Sequence, residues 1–135
     1  MRKKTSTTNC TDNSKQKNKI TGNWVEQIAA DHLVSNNFSI VHRNWKWGNA
    51  EVDIIAQQKQ FLIFIEVKTR SSSKFGFPER AVNKAKQQQY VQLAKAYIEK
   101  EKWNLDVRFD IISIIKISDQ TFELEHIKDA FFPYN

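Results

Sequence analysis

The sequence predicts a single α/β domain in which helices cover a mixed central sheet, with elements in the order α-β-β-β-α-β-β. Two apolar stripes of helical period, separated by three β-rich segments and followed by two more, lead to that order. The chain has 135 residues, 40% of them hydrophobic, which suits one modest core.

Residues 1–20 are rich in Thr, Asn, Ser and Lys without a hydrophobic period, and they read as a flexible basic tail; 21–135 read as the domain. Thr21 is the expected cap of the first helix, Val25, Ile28, Ala29, His32 and Leu33 form its stripe, and Asn36-Asn37 ends it. His32 reads as a core-edge histidine, because neither His42 nor His126 stands at metal-ligand spacing from it. The segment 38–47 contains β-formers and ends at the turn signal Gly48-Asn49. Strands over 51–56 and 61–69 flank the polar residues 57–60 and predict a hairpin. Residues 61–65 show no alternation, so that strand is expected to be buried on both faces. A loop over 71–78 carries Gly76 and Pro78. A long helix follows from Glu79 to about Lys102, with Val82, Tyr90, Leu93, Ala94, Tyr97 and Ile98 inward. Strands over 107–117 and 122–127 pair through Ser118-Asp119-Gln120, and the apolar segment 130–134 is expected to pack back onto the body.

Charge is less informative than its sum. The net charge is +6, but residues 1–20 hold six Lys/Arg against Asp12, leaving +1 for the rest. Such a tail reads first as solvating and second as a non-specific phosphate contact. The body has one uneven stretch: Lys68, Arg70, Lys74, Arg80, Lys84 and Lys86 are opposed only by Glu79. A cationic apron of this kind beside carboxylates suits an enzyme acting on a polyanion, although a solvated helix face carries similar charges. The longest apolar run is far shorter than the roughly 20 residues of a membrane span, and no secretory signal is evident. The only cysteine, Cys10, can form no internal disulfide, which fits a reducing cytoplasm.

The hairpin concentrates the chemistry. If a symmetric connection sets Ala56 opposite Phe61, then Glu51 faces Glu66 and Asp53 faces Phe64, diagonal to Glu66. Glu51, Asp53, Glu66 and Lys68 then share one face, whereas a one-residue bulge separates them. Carboxylates crowded at the end of an apolar hairpin repel one another, and a divalent cation relieves the repulsion. Mg²⁺ or Mn²⁺ there could activate water at a phosphodiester, with Lys68 orienting the water or stabilising charge on phosphorus. The plain alternative is a surface cross-strand salt-bridge cluster.

The hairpin resembles the D…(D/E)-x-K signature of the restriction-endonuclease-like superfamily of nucleases. More closely, the chain is similar to the YraN family of bacterial proteins, relatives of archaeal Holliday-junction resolvases. The resemblance runs from Gly22 nearly to Phe132. It is carried by residues 22–26 with Ala29, 43–45, 51–56, 64–70, 75–78, Ala81-Val82 with Lys86, 108–110 and 126–131. It implies a restriction-endonuclease-like fold, metal ligands at Asp53 and Glu66, and a catalytic lysine at Lys68. Glu26 matches a first-helix glutamate that completes the metal site in related nucleases. The usual glycine before position 51 is Ala50 here, and the helical Q-x-x-x-Y motif of some relatives is not intact, since the corresponding spacing gives Lys86 and Tyr90. DNA is the implied partner, with branched or damaged DNA as the implied substrate. A homodimer is implied where paired cuts are made, without a sequence signature for it.

Read without that likeness, Lys86 either snorkels from the buried stripe of its helix or points to an anionic site. Trp45 and Trp47 share a strand face and either pack in the core or stack on bases. The rival functions are a non-catalytic nucleic-acid-binding module and an interaction module of repair or recombination machinery.

Overall fold

A computed structural model of the chain describes residues 17–70 and 83–131. Among these, two helices cover a five-stranded mixed sheet: α1 (Lys17–Ser35), β1 (Ser39–Trp47), β2 (Ala50–Gln58), β3 (Phe61–Arg70), α2 (Lys84–Glu101), β4 (Asp106–Lys116) and β5 (Phe122–Ile127). The sheet order is β1-β2-β3-β4-β5. Only β3 and β4 run parallel, joined by the segment that contains α2, and the other neighbours are antiparallel.

β3 lies in the middle of the sheet, and this explains its unbroken apolar run. Leu62 and Phe64 pack on the α2 side with Tyr90, Leu93, Ala94 and Tyr97. Ile63 and Ile65 pack on the α1 side with Val25, Ala29, Ala30 and Leu33. Phe131 closes the α2-side core by stacking on Phe109, their ring centroids 5.1 Å apart. The expected C-terminal packing is therefore met at Phe131, and 132–135 lie outside the described residues.

Both helices start elsewhere than the sequence suggested. α1 begins at Lys17, within the stretch read as tail and ahead of the cap expected at Thr21. Once a helix is anchored by its packed turns, each added residue costs little, so it can run back past a nominal cap. α2 begins at Lys84 rather than Glu79, because the Asn83 side chain accepts the Lys86 N–H as an N-cap. Lys74, Glu79 and Arg80, with the expected loop at 71–78, lie outside the described residues.

The β2–β3 register also differs. Gln58 pairs with Phe61, Ala56 with Ile63 and Ile55 with Phe64, so the expected opposition of Ala56 and Phe61 is off by two residues. The connection is the two-residue turn Lys59-Gln60, in which Lys59 takes a positive φ of 54°. That conformation usually falls to Gly or Asn, and a lysine gives no warning of it. A shift of two leaves side chains on their faces, so it moves levels along the strand without exchanging sides.

Candidate metal and catalytic site

At Asp53 the sheet stops alternating. Ala50, Val52 and Ile55 all belong to the α2-side core, while Ile54 and Ala56 belong to the α1 side. β1 slips at the same level: Trp45 packs on Tyr97 at 5.0 Å, while Arg43 and Asn44 both reach α1 side chains. Asn44, at φ 55°, absorbs the slip, and the β1–β2 register sets it opposite Asp53. The β2–β3 pairing ends at Ile54 and Ile65, and the Val67 N–H beyond it donates to Asp53 Oδ2 at 2.8 Å. A carboxylate thus replaces a backbone carbonyl in the ladder, fixing Asp53 at the level of Glu66.

Glu66 is the best-held group of the site. It is 5% exposed, and its Oε1 accepts the Tyr90 hydroxyl. Its Oε2 receives two ammoniums, Lys68 Nζ at 3.3 Å and Lys86 Nζ at 3.2 Å. Lys86 therefore points to an anionic site, one of the two uses open to it. Tyr90, read as core and as the position of the Q-x-x-x-Y tyrosine but not counted among the candidate site residues, reaches the site through its hydroxyl. Its signal was the i, i+4 spacing to Lys86, which puts both on one helix face. Removing its hydroxyl as Tyr90→Phe leaves a buried carboxylate short of a donor. A loss of about 1–3 kcal/mol in urea unfolding is expected, and an unchanged midpoint would contradict the bond.

Glu26 approaches from α1. Its Oε1 accepts Asn44 Nδ2 at 3.1 Å and lies 3.7 Å from Arg43. Burial pushes the Asp53 carboxyl up to about 7, with the negative charges of Glu66 and Glu26 adding to the shift. The Val67 N–H and the Lys86 charge oppose it. The Asp53 carboxyl on β2 thus feels the carboxylates of both α1 and β3. Glu51 stands apart from them, exposed to solvent. The slip at Asp53 breaks the shared face expected for Glu51. Of the cationic apron, Arg70 ends β3 and Lys84 opens α2, where it is exposed. Among the described residues, no group of three or more His, Cys, Asp or Glu stands ready to hold a metal ion.

The raised Asp53 pKa gives a signed expectation for the metal-free protein. The unfolded carboxyl ionises near pH 4 and the folded one near pH 7, so stability falls as pH rises between them. Asp53→Asn keeps an acceptor for Val67 and removes that cost. It is expected to be more stable than the wild type at pH 8 in EDTA, by up to about 4 kcal/mol, with the gain shrinking towards pH 4. Denaturation curves at the two pH values check this, and a less stable variant at pH 8 would refute it.

A second polar cluster lies under α1. Asp110 is fully buried and receives Arg108 through two contacts of 2.9 Å, His126 Nε2 at 2.8 Å and the Asp129 N–H at 2.9 Å. Burial alone raises its pKa, but the bonds from His126, Arg108 and the Asp129 backbone outweigh this and hold it below the usual range. His126 Nδ1 meets His32 Nε2 at 3.1 Å, and His32 Nδ1 lies 3.4 Å from Asn36 Nδ2. One proton on each ring satisfies the series, with Asn36 donating to His32, His32 to His126 and His126 to Asp110. Two histidines with no shared sequence spacing are thus neighbours through the β4–β5 pairing.

The family model described as "uncharacterised protein family UPF0102" matches residues 25–114, a span containing Glu26, Asp53, Glu66, Lys68, Lys86, Tyr90 and Asp110. The chain belongs to UPF0102. A UPF0102 protein of Flavobacterium johnsoniae is 44% identical over 117 residues, covering 84% of this chain and 94% of that one. A UPF0102 protein of Clostridium botulinum is 40% identical over 119 residues, covering 87% and 98%. A third UPF0102 protein, from Phocaeicola vulgatus, is 44% identical over 109 residues, covering 80% and 88%. No helix among the described residues is long and apolar enough to cross a membrane.

Proposed function

We propose that this UPF0102 protein is a divalent-cation-dependent endonuclease of the restriction-endonuclease-like kind, cleaving phosphodiester bonds in branched or damaged DNA. The observation that carries the reading is the meeting of Asp53, Glu66 and Lys68 where β2 and β3 part, with Glu26 close enough to raise the Asp53 pKa.

The donor set suits Mg²⁺ or Mn²⁺. Carboxylate oxygens are the preferred ligands of both, and a cation offsets the burial and the neighbouring carboxylates that raise the Asp53 pKa. Asp53 and Glu66 would hold it, with Glu26 as the third carboxylate. Bound there, it would supply Lewis-acid polarisation of a phosphate oxygen and a more acidic water. Lys68 holds its ammonium beside Glu66, where it can donate to the attacking water or to charge developing on the phosphate. Tyr90 fixes Glu66 from the opposite oxygen, and Lys86 brings a second positive charge for the polyanion.

The same two ammoniums favour one rival. Both sit on Glu66 Oε2, where an incoming cation must compete with them, so a non-catalytic DNA-binding module would keep this arrangement closed. Cleavage of linear, flapped and four-way DNA with Mg²⁺, Mn²⁺ or EDTA separates the two. The nuclease nicks only with cation and loses activity as Asp53→Ala. Equal nicking by both proteins marks a contaminant and sinks the proposal. Salt-sensitive binding without cation affinity or turnover selects the module. Paired cuts at a junction would further call for two copies of the chain, which sedimentation during binding measures.

A further inference from the structure

Beside this site lies an open pocket of about 410 Å³ that none of the residues discussed so far fills. Its walls are the β1–β2 turn, through Trp47, Gly48, Asn49 and Ala50, and two α2 side chains, Gln89 and Gln92. The two tryptophans of β1 part company here. Trp45 packs on Tyr97, whereas Trp47 remains 44% exposed. Gly48 adds no obstruction, because even a Cβ built there would meet nothing within 4 Å.

We propose that this pocket takes the base of an unpaired nucleotide, stacked on Trp47 between the β1–β2 turn and the Gln89 and Gln92 side chains, an assignment that rests on the nuclease reading above. Continuity with Lys86, which the proposed function assigns to the phosphates, argues for the occupant. Gln89 is one helical turn from Lys86 and adjacent in sequence to Tyr90, both of which bind Glu66. At about 1.5 Å of rise per residue, the pocket wall begins some 4.5 Å along α2 from Lys86, within the reach of one nucleotide. The ligand must therefore join a planar apolar face to an adjacent anion. A base and its phosphate meet that description, and the apolar lining suits the face of any base. Paired bases in a duplex cover their faces by stacking, so the pocket selects DNA with an unpaired nucleotide, such as a flap, gap or junction.

The test is fluorescence-anisotropy binding of the full chain to short oligothymidylate and to a blunt duplex of equal length, in Ca²⁺ and at two salt concentrations. Emission quenching of the tryptophans is read alongside. The wild type is expected to prefer the single strand, with quenching on binding. Trp47→Ala is expected to lower the ratio of single-strand to duplex affinity about 5- to 150-fold and to lose the quenching, while Trp47→Phe keeps most of the ratio. An unchanged ratio in Trp47→Ala, or no preference in the wild type, overturns the pocket assignment. Cation-dependent cleavage measured on the same proteins keeps the two readings apart. Activity with a Trp47-independent ratio leaves the nuclease without the pocket, and a Trp47-dependent ratio without activity leaves the pocket on a binding module.

Discussion

Lys68→Ala is expected to lower cation-dependent DNA cleavage by at least about a hundredfold while leaving the fold intact. The lysine shares Glu66 Oε2 with Lys86, so its removal still leaves one ammonium 3.2 Å from the buried carboxylate. Its side chain is 32% exposed, and the lost pair should change stability by less than about 1 kcal/mol. The two effects are therefore separable. Single-turnover cleavage measures the first, and thermal unfolding of the same preparations measures the second. Lys86→Ala should behave differently, raising KM more than it lowers kcat, because its charge serves attraction of the polyanion. Cleavage by Lys68→Ala within threefold of the wild type would remove this lysine from the chemistry. Parallel losses of kcat in both variants would mean that the lysines act as one unit.

The largest effect on stability is expected at Asp110. Its carboxylate is fully buried and is the shared acceptor of Arg108, His126 and the Asp129 N–H. The Arg108 guanidinium also lies over the rings of Phe61 and Phe38, at 5.1 and 5.9 Å, with little room to turn towards water. Asp110→Ala strands this cation and both donors, which costs about 3–5 kcal/mol and lowers Tm by roughly 10 °C or more. The pH dependence has the opposite sign to that of Asp53. A depressed carboxylate pKa stabilises the fold above the unfolded value near 4, and the stabilisation is lost as pH falls through the folded value. The gap between wild type and variant should thus be full at neutral pH and narrow in acid. A Tm unchanged by the substitution would show that the buried pair contributes nothing.

Patterning made most elements legible. The stripe Val25, Ala29, Leu33 is the buried face of α1, and the unbroken run of β3 lies in the centre of the sheet, as its lack of alternation implies. Charge returning abruptly at the end of that run marks Glu66 and Lys68, whereas Asp53 rests on the hairpin pairing and the family resemblance; its bond to Val67 N–H sets it beside them. What escaped depends on contacts that sequence distance conceals. The turn at Lys59 carries no glycine or asparagine, so the register was misjudged by two. Glu51 was grouped with Glu66 because strict alternation was extended through Asp53, where the strand slips. Tyr90 looked like core because its ring is core, and only its hydroxyl belongs to the site. His32 and His126 stand 94 residues apart and meet only when α1 lies over the β4–β5 pair.

The coincident slips at Asn44 and Asp53 give the sheet a mechanical seam. Below it β2 packs on both helices, on α1 through Ile54 and Ala56 and on α2 through Ile55, and above it the same strand packs on α2 through Ala50 and Val52. The carboxylates are divided along that line, Glu26 travelling with one helix and Glu66 with the groups of the other. The position of Glu26 therefore depends on how α1 packs, and that of Glu66 on contacts from α2. On the proposed function, repacking either core, even far from any charged residue, should thus shift the affinity for a cation.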